Sequence, residues 1–279
     1  MILLDGKAYR KELLEEYKKE IEDKKLDITL AIIQIGNEPS SIAYIKNKIK
    51  YCDMVGIRTR LHYLGSKTTN EELKILINKL NLDDNITGII LQSPVPKGID
   101  YVSCANLIDP KKDIDGFTKE NIYNLYNNKK GIVPCTPKGV VKLLKHYDIK
   151  LAGKTVALLG RGLVAGRPLM LMLENENATV TLCHSKTKNL KAITKEADIV
   201  ISAVGKPNLI TGDMVKEGFI GVDIGLTSVD GKLVGDFDFE AVKDKVSYIT
   251  PSRGGVGPMT ISMIIENLIE TKNNKGKNV

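Results

Sequence analysis

The sequence predicts an α/β protein built from two lobes. Short apolar runs alternate with helical patterns along almost all of its 279 residues, which is typical of parallel strands joined by crossover helices. A polar segment of weak periodicity, residues 109–128, separates two such series and is interpreted as the connection between the lobes. A glycine-rich turn at residues 160–166, the nucleotide turn, follows an apolar run and opens a helical pattern, so the second lobe is predicted to be of the Rossmann type.

The first lobe, assigned to residues 1–118, is predicted to contain a β-α-β-α-β unit. Thr29–Ile35 is almost continuously apolar, as strands buried on both faces are. The capping box Thr69-Asn-Glu-Glu72 satisfies backbone donors at the start of a helix that ends near Leu80. The remaining members of the unit are a helix at about 40–55, a strand at 58–63 and a strand at 87–92.

The second lobe is assigned to residues 137–250. A helix is predicted to start at Thr136 and Pro137, because threonine is a favoured N-cap and proline is favoured at the first helical position. The strands of this lobe are predicted at 154–159, 178–183, 198–203 and 219–224, with a helix from the nucleotide turn to about 176. An apolar helical pattern at 258–271 predicts a last helix that packs back on the first lobe, and the polar tail 272–279 is expected to be disordered.

Composition narrows the class of function. The net charge of +7 is spread over nearly every segment and aromatic residues are only 5%, so a binding surface for nucleic acid is not expected and an anionic small molecule is. No apolar run reaches the length of a membrane span, and the N-terminus turns polar too soon for a secretory signal, so we expect a cytoplasmic protein. The four cysteines are scattered and histidines number three, so we expect buried, reduced thiols and no metal site.

The nucleotide turn, Gly160-x-Gly162-x-x-Ala165, stands in the strand–turn–helix setting that the dinucleotide fingerprint requires. Its glycines allow close backbone approach to a pyrophosphate, and the helix start supplies free N–H groups. Where NAD-binding proteins place an acidic residue, after the second strand, this chain has Cys183-His184-Ser185-Lys186. With Arg161 in the turn, this favours the 2′-phosphate of NADP; the alternative is that these are solvated loop charges.

Tyr44 and Lys48 stand four residues apart in a predicted helix, so they share one face. Taken alone, the pair is better explained as a boundary tyrosine beside a solvated lysine. Gln92, however, ends a predicted buried strand at its carboxyl side, where open α/β sheets bind ligands. Asp113 and Asp115 lie in a turn that could be a simple Asx turn. The glycine-rich residues 250–260 allow close approach to a ligand, or form an interdomain turn.

Seven segments, in order and up to about Glu270, resemble the bifunctional methylenetetrahydrofolate dehydrogenase/methenyltetrahydrofolate cyclohydrolase family. They are Tyr44-x-x-x-Lys48, Gly88–Gln92 with Pro94-x-Pro96, Lys112–Phe117, Pro134–Gly139, the nucleotide turn, Cys183–Thr187 and Gly254–Thr260. Short-chain dehydrogenases also use Tyr-x-x-x-Lys, but they place it after the glycine turn, and this chain reverses that order. A monofunctional dehydrogenase and a non-catalytic nucleotide-binding protein of the same fold remain as alternatives.

The resemblance implies an N-terminal substrate and catalytic lobe, a Rossmann-type NADP-binding lobe and an active-site cleft between them, in a homodimer. It implies oxidation of methylenetetrahydrofolate by NADP+ and hydrolysis of the methenyl product to 10-formyltetrahydrofolate. Lys48 would be the general acid/base, Gln92 its orienting partner, and Asp115 an acceptor for the pterin. Tyr44 would support the pterin ring, and Gly257 and Pro258 would line the folate site. The implied cofactor contacts are Gly160, Arg161, Gly162, His184, Ser185 and Leu226.

The chain departs from the pattern of that family at several positions. Gly162 stands where serine is common, which removes a hydroxyl contact to the cofactor phosphates, and Ala165 stands where valine is common. The other departures are Ser93 for leucine, Leu226 for isoleucine, and Ser252-Arg253 for Val-Pro. None of these removes a proposed catalytic group, so both activities are predicted.

Overall fold

The computed structural model describes residues 1–275, apart from the side chains of residues 40 and 275. In chain order the elements are β1 (Ile2–Leu3), α1 (Gly6–Asp23), β2 (Thr29–Ile35), α2 (Pro39–Met54), β3 (Arg58–Leu64), α3 (Asn70–Leu82), β4 (Gly88–Leu91), α4 (Tyr101–Ala105), α5 (Lys119–Tyr126), α6 (Cys135–His146), β5 (Thr155–Leu159), α7 (Gly166–Asn175), β6 (Thr179–Cys183), α8 (Leu190–Glu196), β7 (Ile199–Ser202), β8 (Ile220–Asp223), β9 (Leu226–Val229), β10 (Lys232–Gly235), α9 (Phe239–Val242), β11 (Tyr248–Ile249) and α10 (Val256–Lys275). These elements form two compact units, which we name by their sheets. The three-stranded unit contains Lys11–Cys135 and the chain from Ile261 onward; the six-stranded unit contains Met1–Arg10 and Thr136–Thr260.

The three-stranded unit is a parallel sheet in the order β3-β2-β4. Its central strand β2 is buried at every position, because it is paired on both sides and covered on both faces. Thr29 pairs with Arg58 of β3, and Leu30 pairs with Gly88 of β4. The β-α-β-α-β prediction is confirmed, including the capping box at Thr69, whose hydroxyl accepts a hydrogen bond from the N–H of Glu72 at 3.2 Å.

Three helices of the three-stranded unit were absent from the prediction, α1, the five-residue α4 and α5. Most of α1 lies in this unit, and its buried side chains Leu13, Leu14, Tyr17 and Ile21 recur at helical spacing, so the signal was present in the sequence. The helix α5 lies inside the segment that was predicted to be an irregular connection. The sequence of α5 shows no apolar periodicity, because one of its two buried residues, Asn121, is polar and only the other, Leu125, is apolar.

The six-stranded unit is a parallel sheet in the order β1-β11-β8-β7-β5-β6. The four predicted strands are confirmed as β5, β6, β7 and β8, and β7 and β8 are buried throughout. The antiparallel hairpin of β9 and β10 was not predicted. Its turn is Asp230-Gly231, and both residues have positive φ, as the hairpin-favouring Asp-Gly pair allows.

Several predicted boundaries differ from the structure. The strand β1 pairs with β11, so Met1–Arg10 belongs to the six-stranded unit and not to the first lobe as assigned. The helix α6 starts at Cys135, which leaves Thr136 inside the helix instead of at its N-cap. Residues 272–275 continue α10, and Nδ2 of Asn273 donates to Oε1 of Glu20 at 3.0 Å, which corrects the expected disorder there; residues 276–279 of that prediction lie outside the described residues.

Two predictions from composition can be compared with the structure. All four cysteines, Cys52, Cys104, Cys135 and Cys183, are free and buried, as expected. Across residues 1–275, no helix combines the length and the apolar character that a membrane crossing requires.

Candidate functional site

A buried lysine–glutamine pair marks the carboxyl edge of the three-stranded sheet. Lys48 lies in α2 and is only 6% exposed, which excludes the solvated lysine considered from sequence. Its Nζ donates a hydrogen bond to Oε1 of Gln92 at 2.9 Å. Gln92 directly follows β4, and its backbone N–H donates to the carbonyl of Ile33 at 2.9 Å. Its Nε2 donates to the Ser93 carbonyl at 2.6 Å, so the amide is oriented with its oxygen toward the lysine.

A second charged group, the Asp115 carboxylate, lies within electrostatic range of Lys48. Burial raises the pKa of Asp115, and the positive charge of Lys48 opposes that rise. Within the described residues, no hydrogen bond reaches the Asp115 carboxylate, so both of its oxygens can accept one from a ligand.

The backbone that carries Asp115 is held by side chains that the sequence analysis did not identify. Nδ2 of Asn267, on α10, donates to the carbonyls of Ile114 at 2.9 Å and Val133 at 3.0 Å. Cys135 Sγ donates to the same Ile114 carbonyl at 3.3 Å. The sequence does contain a signal for Asn267, because it is an asparagine among the apolar residues of a helix. It is 1% exposed in the structure, and a buried amide needs hydrogen-bond partners.

Two neighbours of Asp115 in the Lys112–Phe117 motif have structural roles. The Asp113 carboxylate accepts hydrogen bonds from the N–H groups of Gly116 at 3.0 Å and Thr118 at 2.7 Å, so the Asx-turn alternative is correct for this residue. Lys112 is buried, and its Nζ donates to three carbonyls at the end of α3, those of Leu80, Asn81 and Asp83. Asp115 is therefore the carboxylate that remains for a ligand.

Tyr44 lies one helical turn before Lys48 on α2, and half of its surface is exposed. A cavity of about 350 Å³ opens at the same edge of the sheet, where β2 and β4 end. Gly36, Asn37, Ser66 and Pro94 are among its lining residues. The three-stranded unit therefore presents an exposed aromatic ring and a buried amine on α2, and a concave surface where β2 and β4 end.

The nucleotide turn of the six-stranded unit is tightly packed on one side and open on the other. Gly160 has φ of +105°, and a Cβ there would lie 2.7 Å from the carbonyl oxygen of Ala203. A Cβ on Gly166 would lie 2.1 Å from the Gly160 carbonyl oxygen, whereas one on Gly162 would meet nothing within 4 Å. Glycine is thus required at both packed positions, and the open side leaves the start of α7 accessible to a phosphate.

The loop after β6 contains no acidic residue. The Nδ1 atom of the His184 ring accepts a hydrogen bond from the backbone N–H of Lys186 at 3.2 Å. The backbone N–H of His184 donates to Thr187 Oγ1 at 2.8 Å. Ser185 and Lys186 are exposed, and so is Arg161 in the nucleotide turn. This loop therefore offers hydroxyl and cationic groups at the place where an NAD site would offer a carboxylate.

The remaining predicted residues also lie in the six-stranded unit. Leu226 begins β9 and is 40% exposed. Gly257 was predicted in the loop before the last helix and Pro258 at the start of that helix, but α10 starts at Val256 and places both in its first turn. Proline is tolerated there because its missing N–H has no helical partner. Thr136 and Thr260 are joined by a 3.0 Å hydrogen bond between their hydroxyls.

Comparison with known proteins gives a consistent result along the chain. The family model "Tetrahydrofolate dehydrogenase/cyclohydrolase, catalytic domain" matches residues 4–115, and that of the "NAD(P)-binding domain" of the same family matches residues 134–276. The chain is 46% identical over 283 residues to the bifunctional protein FolD of Campylobacter curvus, with 100% of this chain and 98% of that protein covered.

Solved structures agree. The crystal structure of the bifunctional enzyme FolD from Campylobacter jejuni, a methylenetetrahydrofolate dehydrogenase/cyclohydrolase, is similar with a TM-score of 0.96 and 45% identity, covering 99% of each chain. The Trypanosoma brucei FolD enzyme, complexed with NADP cofactor and inhibitor, has a TM-score of 0.94 and 34% identity, covering 100% of this chain and 99% of that one.

Proposed function

This chain belongs to the tetrahydrofolate dehydrogenase/cyclohydrolase family, and we propose that Lys48, Gln92 and Asp115 perform and organise its chemistry on the folate. The protein is a bifunctional enzyme of one-carbon metabolism. It oxidises methylenetetrahydrofolate to the methenyl cation with NADP+ and hydrolyses that cation to 10-formyltetrahydrofolate. The observation that supports this choice of residues is the buried hydrogen bond from Lys48 to Gln92, close to the Asp115 carboxylate.

In the hydrolytic step, Lys48 acts as the general base and then as the general acid. Its neutral amine takes a proton from water as the oxygen bonds to the methenyl carbon, giving a neutral carbinolamine. The ammonium then returns the proton to N5 as the bond from the carbon to N5 breaks. The amine, neutral again, takes the carbinol proton as the formyl carbonyl forms and releases it to solvent, so one proton leaves for each cation hydrolysed. Gln92 holds the lysine in place through the hydrogen bond to its amide oxygen.

Binding of the pterin is assigned to the groups around this pair. Asp115 accepts hydrogen bonds from N–H groups of the ring, because its carboxylate has none within the described residues. Tyr44 supports the ring with its exposed aromatic face. Gly257 and Pro258 are proposed as further folate contacts, since a glycine allows a ligand to approach the backbone closely.

The six-stranded unit is proposed to hold NADP through the nucleotide turn and the loop after β6. When bound, NADP+ accepts the hydride from the one-carbon bridge of the substrate. Gly160, Gly162 and the N-terminal end of α7 receive the pyrophosphate, and Gly162 supplies no hydroxyl there. Arg161, His184 and Ser185 suit the 2′-phosphate, and the exposed Leu226 offers an apolar contact.

A single assay tests this function. Methylenetetrahydrofolate is mixed with the protein and either NADP+ or NAD+, and reduced cofactor and methenyl absorbance are followed together. We expect reduction of NADP+ to exceed that of NAD+, and we expect the methenyl signal to rise and then decay as hydrolysis proceeds. Absence of reduced cofactor with both nucleotides would contradict the proposal.

A homodimer is also proposed, with β3 as the contact surface. This strand forms an edge of the three-stranded sheet and therefore has an unpaired backbone edge. Leu61 and Tyr63 point to one face of it and are 46% and 52% exposed. An apolar stripe along an open edge is suited to the same stripe of a second copy, because a two-fold interface is self-complementary.

The double variant Leu61→Glu/Tyr63→Glu is expected to be monomeric, because four carboxylates would face one another across the two-fold axis. Size-exclusion chromatography with light scattering should give the mass of two chains for the wild type and of one chain for the variant. Val102→Glu is the control, since Val102 is 54% exposed on α4, which follows β4 at the opposite edge of the sheet. A variant that keeps the mass of two chains would remove β3 from the interface.

A further inference from the structure

A buried carboxylate that the sequence analysis did not identify, Asp236, lies at the carboxyl edge of the six-stranded sheet. It is 1% exposed. Its Oδ2 accepts hydrogen bonds from Ser202 Oγ at 2.6 Å and from the N–H groups of Val204 at 2.9 Å and Gly205 at 3.2 Å. Its Oδ1 accepts from the N–H of Lys206 at 2.7 Å. All four donors are neutral, and all belong to the five residues 202–206.

Residues 202–206 lie directly against the nucleotide turn. The N–H of Ala203 donates to the carbonyl of Leu159, the last residue of β5, at 2.8 Å. Gly160 follows Leu159 and lies close to the backbone of Ala203: a Cβ on Gly160 would be 2.7 Å from the Ala203 carbonyl oxygen. In an open parallel sheet, this edge is where a dinucleotide binds. The conformation of residues 202–206 therefore shapes the wall of the cofactor site.

A second carboxylate fixes the segment that carries Asp236. Asp223, at the end of β8, accepts hydrogen bonds from the N–H groups of Asp236 at 3.0 Å and Phe237 at 3.2 Å. Both carboxylates lie against glycine residues, Gly225 and Gly235, where a side chain would occupy the same space. A Cβ at Gly225 would lie 2.2 Å from Oδ2 of Asp236, and one at Gly235 would lie 2.0 Å from Oδ2 of Asp223.

We propose that Asp236 is a positioning residue for the dehydrogenase reaction, which fixes residues 202–206 in the conformation that receives NADP. This inference rests on the proposed function. Residues 204–206 have no regular secondary structure, and Asp236 accepts hydrogen bonds from all three of their N–H groups. Hydrogen bonds to an ionised carboxylate are stronger than those between neutral groups, which makes Asp236 a firm anchor for a short loop. Lys48 and its partners belong to the other unit and do not use this anchor.

The test is Asp236→Asn, with Asp238→Asn as a matched control. Asparagine keeps the size but turns an N–H₂ group toward backbone donors. Asp238 is two residues away, and its carboxylate only caps α9, accepting from the N–H of Ala241 at 3.1 Å. For Asp236→Asn we expect the Kd of NADP+, measured by calorimetry, and the KM for NADP+ to rise about tenfold or more, with a smaller change in kcat. Amide hydrogen exchange in residues 204–206 of the ligand-free protein should accelerate, while methenyl hydrolysis and the Asp238→Asn control stay at wild-type levels.

Each other outcome counts against the inference. Unchanged NADP+ affinity and amide exchange in Asp236→Asn would overturn it. An equal loss of both activities would assign Asp236 a general structural role and would also overturn it. If Asp236→Asn does not fold, Ser202→Ala, which removes one of the four donors, should still raise the Kd of NADP+ about twofold to threefold, and an unchanged Kd would be contradictory. If the proposed function itself is wrong, the wild-type protein will neither bind nor reduce NADP+, which distinguishes that failure from a failure of the inference about Asp236.

Discussion

Lys48→Met is expected to lower kcat for hydrolysis of methenyltetrahydrofolate by about 10²- to 10⁴-fold, the usual contribution of a positioned acid–base group. Methionine matches the four-atom apolar stem of the lysine and lacks only the terminal amine, so most of the buried site stays filled. It can neither take a proton from water nor return one to N5. Oxidation of methylenetetrahydrofolate needs no such transfer, so NADPH formation should continue while the methenyl product accumulates, which its absorbance reports directly.

Lys46→Met is the control for that experiment, because Lys46 is exposed on the same helix two residues earlier. It should leave both activities at wild-type rates. A second variant, Gln92→Leu, keeps the lysine but removes the amide oxygen that accepts its 2.9 Å hydrogen bond. Its kcat for hydrolysis should lie between those of Lys46→Met and Lys48→Met. Hydrolysis by Lys48→Met at the wild-type rate would exclude the lysine from the mechanism.

Gly116→Ala is expected to destabilise the protein by roughly 2–5 kcal/mol, the sum of left-handed backbone strain and overpacking. Gly116 has φ of +71°, and a Cβ there would lie 2.7 Å from the backbone carbon of Val133 and 2.8 Å from the Pro134 nitrogen. Backbone atoms cannot rotate away as a side chain can. Because the preceding residue is Asp115, the displacement should also weaken folate binding. Thermal unfolding followed by circular dichroism, together with the KM for methylenetetrahydrofolate, measures both effects.

Gly98→Ala separates the two contributions. Gly98 has φ of +99° in the same unit, but a Cβ there meets nothing within 4 Å. The free energy of unfolding of Gly98→Ala should therefore fall only by the cost of the left-handed backbone conformation, about 1–2 kcal/mol. Equal destabilisation by the two variants would show that the contact of Gly116 with Val133 and Pro134 is unimportant.

The parallel strands could be predicted because burial on both faces leaves a continuous apolar run, as in Thr29–Ile35. The closeness of Lys48 and Gln92 is consistent with two local facts, a residue placed on the helix after β2 and one placed at the end of the neighbouring β4. Their chemical roles remain predictions. The short hairpin of β9 and β10 has a local signal in Asp230-Gly231, a pair that favours tight hairpin turns.

Long-range hydrogen bonds between side chains and backbone were beyond sequence reasoning. Asn267 reaches the carbonyl of Ile114, 153 residues away, and Asp236 reaches the N–H groups of a loop about 30 residues earlier. A single buried asparagine or aspartate has no periodicity that identifies its partner. The same limit applies to β1, whose two residues gain their place from pairing with β11 at the other end of the chain.

The division of the chain into units has a consequence for biosynthesis. Neither unit is one continuous stretch: Met1–Arg10 joins Thr136–Thr260, and Lys11–Cys135 joins the chain from Ile261 onward. On a ribosome, the three-stranded unit is almost fully translated long before Asn267 emerges to hold the backbone of Ile114. It must therefore complete its fold after synthesis of the six-stranded unit, so co-translational folding of this enzyme cannot proceed one unit at a time.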